Sequence, residues 1–276
     1  MLQSKAKEEA FMEQREIDYI GERLYRETLK DKKSGKWSKK DLRLEKELYK
    51  ELKALNPKFD FYWYMQLSPT CFTTNDKGVI PIFVKYMNKF DRIGMVDVCA
   101  YCLGVRGFYD ATEPLLKLRQ RYVESNIMCP RNTIGSSLWR IRDPRYVKEY
   151  LEIAKDFDNL CIEDWLIIRL LGVFKVQEAI PTLIRLLDFV LPDGRCYPNN
   201  NYALATQALR ALSCYKDKRL LNLFIEYLDT TKYNEISNEA AHDVAAKAIV
   251  KLGGVVEKIK LPKRKHMYKY CGLKDS

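Results

Sequence analysis

Apolar and polar residues alternate along this chain with a helical period. Leu44, Leu48, Leu52 and Leu55 recur every three or four positions, the spacing of one face of an α-helix. Ser38 and Asp41 stand just ahead of them, three apart, in the spacing of a capping box. Upstream, Ile17, Ile20 and Leu24 form a second, shorter stripe, and the basic turn KDKKSGKWSKK separates the two. Residues 1–77 therefore read as a helical cap, with the aromatic run FDFYWYM, 59–65, docking it onto the helices downstream.

Beyond residue 78 the pattern repeats. Its clearest copy is LLGVFKVQEAIPTLIRLLD, 170–188: an apolar helix end, a Gly, a few polar residues, then Ile-Pro opening a second apolar stripe. Equivalent leucines fall at 103, 138, 171, 212 and 252, spaced 35, 33, 41 and 40 residues apart. Second helices open at Ile80-Pro81, Glu113-Pro114, Val147-Lys148, Ile180-Pro181 and Leu221-Asn222. Proline fits the first turn of a helix, where its missing N–H costs nothing. Gly104 and Gly172 stand where the first helix has to stop, which predicts a left-handed cap at each. The two longer intervals hold the turn-rich loops LPDGRCYPNNN, 191–201, and TTKYNEISN, 230–238. The unit is helix, tight turn, helix.

LGVFKVQEAIPTLIRLLD resembles the HEAT-like repeats of the armadillo-type α-solenoids, in particular the short bacterial form related to phycocyanobilin-lyase repeats. The resemblance implies an all-α fold, a right-handed α-α superhelix of about five helical hairpins. These would cover 78–257, with the N-terminal cap before them and a basic, irregular C-terminal tail, 258–276, after them. The chain departs from the family pattern in one respect: the Asp and Arg expected in the inter-repeat turns are not regularly present. The resemblance implies a fold and almost no chemistry.

Composition sharpens this picture. No run of 18 or more apolar residues occurs, so no membrane partner is expected. The charged N-terminus lacks the apolar core of a secretion signal, and the eight cysteines read as reduced thiols, so a cytoplasmic location is expected. The net charge of +11 is uneven. Residues 1–58 hold 16 basic against 12 acidic groups, residues 59–257 hold 25 against 24, and residues 258–276 hold 7 against 1. The excess sits at the two ends, which argues against a broad phosphate-binding groove along the body.

Little in the sequence points to catalysis. Cys99 and Cys102 lie inside a first helix with no second pair at zinc-ligand spacing. The two histidines, His242 and His266, supply neither a metal site nor a triad, and no phosphate-cradling Gly loop occurs. No cofactor and no metal are expected. The first expectation is a non-catalytic scaffold that binds a protein or peptide on a concave face lined by second helices. One position along those helices reads Lys85, Leu118, Glu152, Arg185, Glu226, and one turn later Lys89, Tyr122, Asp156, Phe189, Thr230. Of these, Lys85, Lys89, Tyr122, Glu152, Arg185, Phe189 and Glu226 are the candidate binding residues. The alternative is a nucleic-acid-binding protein related to the solenoid glycosylases that excise alkylated bases, with Asp164 and Trp165 as its candidate catalytic pair. Nucleic acid could also be held by the basic termini, through Lys263, Arg264, Lys265 and Lys269 of the tail.

Overall fold

A computed structural model of the chain describes residues 30–57, 72–125, 131–160, 164–187, 201–228, 238–261 and 264–273. The expected Ile17–Leu24 stripe, the aromatic run 59–65, most of the two long loops, and Phe189, Thr230 and Lys263 lie outside them. The described residues are mostly helical, with one small two-stranded antiparallel sheet among them. The chain forms two compact units, Met1–Asp143 and Pro144–Ser276.

In the first unit, α1 (Lys39–Leu55) begins as its sequence predicts. Ser38 Oγ accepts from the Asp41 N–H at 3.0 Å and donates to the Asp41 carboxylate at 2.7 Å. Leu44, Leu48 and Leu52 are buried, whereas Leu55 is exposed. Helix α1 packs on α2 (Val79–Met87), and α2 packs on α3 (Ile93–Cys102). Next come α4 (Thr112–Glu124) and α5 (Arg131–Ile141), and α5 lies against both α3 and α4.

In the second unit, α6 (Val147–Lys155) packs on α7 (Trp165–Val173). Then follow α8 (Ile180–Arg185), α9 (Asn201–Leu212), α10 (Leu221–Glu226) and α11 (Asn238–Lys251). Helices α7, α9 and α11 form a row of neighbours; α8 lies against α9, and α10 against α11. The most extensive packing of each second helix is with the first helix that comes after it, in both units.

The expected periodicity is visible in the backbone between the helices. Four residues after each of Leu103, Leu138, Leu171 and Leu212 the chain takes a positive φ, at Gly107, Arg142, Lys175 and Lys216. Two residues later a short 3-10 turn begins, at Tyr109, Pro144, Gln177 and Lys218, and each runs directly into a second helix. Twelve residues after each leucine stands a core residue of that second helix: Leu115, Tyr150, Leu183 and Phe224, with Phe83 equivalent in α2. All five are essentially without solvent exposure, and burying a side chain of this size contributes roughly 1.5–3 kcal/mol.

Two expectations change. Gly104 and Gly172 are not left-handed caps, because the positive-φ residues lie three positions further on. They are glycines for close approach. An added methyl at Gly172 would fall 2.5 Å from the carbonyl oxygen of Ala211 in α9, and at Gly104 it would overlap the Arg140 guanidinium of α5. The described residues of the C-terminal tail are also not irregular. Gly253, at φ 91°, succeeds α11, and then β1 (Gly254–Leu261) pairs with β2 (Arg264–Leu273) as an antiparallel ribbon resting on α11. Where the repeat pattern leads one to expect a fifth second helix, this ribbon begins.

Candidate binding surface

The backbone register places the exposed side chains of the second helices. The position fourteen residues after each leucine is occupied by Lys117, Glu152, Arg185 and Glu226, with Lys85 equivalent in α2, and all five are exposed. Aligning the prolines instead, 114 with 181, slips α4 by one residue, because the 3-10 turn sets the start of the helix and not the proline. That slip selects Leu118 and Tyr122, which are 2% and 8% exposed and so belong to the interior. The solvent-facing residues of α4 at these two positions are Lys117 and Arg121.

In the first unit these positions are tied into local polar pairs. Lys85 Nζ meets the Glu51 carboxylate of α1 at 2.5 Å, and the Tyr86 hydroxyl donates to the same oxygen at 2.8 Å. Those hydrogen bonds, led by that of Lys85, hold the Glu51 carboxyl below its ordinary range. Lys85 and Lys89 both lie over the Tyr86 ring, at 5.1 and 5.7 Å from its centre. Arg121 donates to the Asn88 side-chain oxygen at 2.8 Å. Lys117 pairs with Glu113 one turn earlier at 2.5 Å.

In the second unit, Arg185 stacks its guanidinium 4.0 Å from the centre of the Phe157 ring. Such a cation–π contact holds a long side chain in place at the surface. Glu152 pairs with Lys155 at 2.9 Å. In the first unit the exposed positions Lys85, Lys89, Lys117 and Arg121 are all basic, whereas in the second Arg185 stands with Glu152 and Glu226.

Asp164 heads α7 with no solvent exposure, and Trp165, the first residue of the helix, is half-buried. A carboxylate that acts on an extruded base has to be open to it, and Asp164 is not. Cys99 and Cys102 are buried and form no disulfide, and burial pushes the Cys99 thiol far above its ordinary range, so it stays protonated and inert. Among the described residues no group of His, Cys, Asp and Glu is arranged to hold a metal ion. No described helix is long and apolar enough to cross a membrane. Arg264, Lys265 and Lys269 belong to β2, where Lys269 is the direct partner of Glu257.

The sequence pattern gave no sign of a polar interior in the first unit. Asp97 of α3, Arg119 and Tyr122 of α4, and Thr133, Ser136, Ser137 and Arg140 of α5 are all buried. Part of this group ties neighbouring helices together. Ser137 Oγ donates to the Ala100 carbonyl at 2.8 Å, and Arg140 Nη2 donates to the Tyr101 carbonyl at 3.1 Å, with its guanidinium 4.3 Å from the Tyr101 ring centre. Both carbonyls lie in the last turn of α3, and that of Tyr101 also accepts from the Gly104 N–H at 3.1 Å. In the second unit Tyr215 plays the same part, its hydroxyl donating to the carbonyls of Leu171 at 3.1 Å and Val176 at 2.7 Å. Burial pushes the Tyr122 phenol well above its ordinary range, with the Asp97 carboxylate adding to the effect.

Comparison with protein-family models, with curated proteins and with solved structures gives no match.

Proposed function

We propose that this chain is a non-catalytic adaptor of HEAT-like helical repeats, an α-α superhelix that binds a protein or peptide through the exposed positions of its second helices. The observation that supports this reading is the recurring junction of leucine, left-handed residue and 3-10 turn. It sets Lys117, Glu152, Arg185 and Glu226 at one equivalent, solvent-facing position of successive repeats. The acidic members Glu152 and Glu226, with the aromatic rings under Lys85 and Arg185, suit a polar peptide or protein surface better than a phosphate backbone. Arg185 over Phe157 is the best-anchored member, and a stacked arginine loses little freedom when a partner engages it. The glycosylase alternative finds less support, since Asp164 is wholly buried.

The test is affinity capture with the full chain, followed by Arg185→Glu. A partner held by wild type should be weakened at least tenfold, about 1.4 kcal/mol, by Arg185→Glu. It should be unaffected by Lys53→Glu, an equally exposed position on α1. Failure to recover any partner, or equal binding by all three proteins, would overturn the reading.

A further inference from the structure

The solvent face of α1 carries a row of cations that does nothing for the helix itself. We infer that this row, Lys39, Arg43, Lys46, Lys50 and Lys53, is a docking site for an acidic α-helix of a partner protein, one whose carboxylates recur every three or four residues. It lies on a different element from the second-helix positions proposed above and does not rest on them.

Charge is sorted around this helix. Residues 30–57 hold ten basic and five acidic groups. Nine of the ten basic side chains are exposed, but Glu47 is the one exposed acid. The other four acids turn inward or into pairs. Asp41 is buried and accepts from the Ser38 hydroxyl and the Asp91 N–H. Glu45 is buried and pairs with Lys32 at 2.6 Å, Asp31 pairs with Arg92, and Glu51 pairs with Lys85. Within the row Arg43 lies 3.5 Å from Glu47. Among the described residues, Lys39, Lys46, Lys50 and Lys53 have no ion pair.

The geometry of the row suits a second helix. At roughly 3.6 residues per turn the five cations fall within about 80° of arc, opposite the buried Leu44, Leu48 and Leu52. From Lys39 to Lys53 the row runs about 21 Å, at about 1.5 Å per residue. Its steps of four, three, four and three residues are those of helix-to-helix contact. An acidic helix laid alongside meets it charge for charge. A helix in the major groove of duplex DNA turns its flanks to the phosphates. One flank of α1 carries Glu47 and Glu51, and the other Leu42 and Tyr49. The row itself has no apolar side chain to enter a bilayer.

The row also works against the helix that bears it. Like charges three or four residues apart on a helix repel, and the row holds four such neighbouring pairs in succession. Lys39 and Lys40 stand in the first turn, at the positive end of the helix dipole, where a cation is unfavourable. The stability of α1 comes instead from the Ser38 cap and the buried leucines. Carboxylates lying opposite the row offset both costs.

The experiment is fluorescence anisotropy of a labelled, alanine-based peptide of about 20 residues, long enough to hold a helix on its own. Its glutamates stand four and three residues apart along one face. The full chain should bind it at low salt and lose affinity as salt rises. Lys46→Glu with Lys50→Glu should weaken binding at least tenfold without lowering the urea midpoint. A lowered midpoint would show that these lysines serve the fold, against the proposal. Arg185→Glu should bind the peptide as wild type does, just as Lys53→Glu leaves a partner of the second helices in place, so the two readings fail separately. Absence of binding at low salt would overturn the site. So would equal affinity for a peptide of the same composition with its glutamates spread around the helix, or tighter binding to duplex DNA or anionic vesicles.

Discussion

Gly172 illustrates how much depends on a single missing methyl. Its position beside Leu171 suggests a helix stop, but the residue lies inside α7 and its Cα faces the backbone of Ala211 on α9. A glycine within a helix forgoes about 1 kcal/mol relative to alanine, and close packing of two helices accounts for it. Gly172→Ala would gain that propensity and still push α7 and α9 apart, because the obstacle is backbone and cannot rotate away. A net loss of about 1–3 kcal/mol is expected from urea unfolding; a variant as stable as wild type would mean the two helices are not packed that closely. Leu118 and Lys117 make a related point. Their types already suggest which is buried, and the proline alignment, not the composition, led to the wrong one.

The helix ends are where elements acquire their repeat character. Lys175 at φ 53° closes α7 as a Schellman turn: the Lys175 N–H donates to the Gly172 carbonyl at 3.2 Å and the Val176 N–H to the Leu171 carbonyl at 3.0 Å. Arg142 and Lys216 hold the same left-handed conformation at the equivalent place, φ 53° and 56°. None is glycine, so a search for Gly-marked helix ends passes over them. A basic side chain near the last carbonyls of a helix is the one hint available. Tyr215 braces the turn after α7 from the turn after α9, through its two hydrogen bonds. Tyr215→Phe keeps the ring and removes the donor, so the urea midpoint should fall by the equivalent of about 1–2 kcal/mol with an unchanged slope. An unchanged midpoint would show that the hydroxyl contributes nothing to holding the two adjacent repeats together.

Across the molecule as a whole, charge is the property that sequence and structure share most directly. The chain carries +11 at neutral pH, and several of its acidic groups are drawn into pairs. Hydrogen bonds from Lys85, Lys117 and Arg219 hold the carboxyls of Glu51, Glu113 and Asp217 below their ordinary values. A carboxyl whose folded pKa is depressed stabilises the fold above its unfolded pKa, and that contribution is lost as pH falls through the folded value. Acidification also removes negative charge from a molecule already positive, which raises self-repulsion. Both effects have the same sign. Calorimetry should find Tm falling between about pH 5 and pH 2, with added salt restoring part of the loss at low pH. A Tm that holds or rises over that range would contradict this account.

Among the described residues, the helical character of the chain up to Lys251 and the spacing of its register leucines were legible in the residues alone. Leu103, Leu138, Leu171 and Leu212 are each fully buried, and each stands at a constant distance from the turn after it. Hydrophobic period and turn chemistry are local, carried within a few residues, and so can be read from one chain. Why Gly104 and Gly172 are glycines emerged only from the packed fold, since the atoms they make room for lie about 36 and 39 residues away. Packing likewise settled that the last basic segment pairs as a ribbon. Its alternation of lysines with Ile259, Leu261, Met267, Tyr268 and Tyr270 suits either a solvated tail or a strand, and the choice depends on a surface to rest on. That surface is α11, and two strands alone are marginal in water without one.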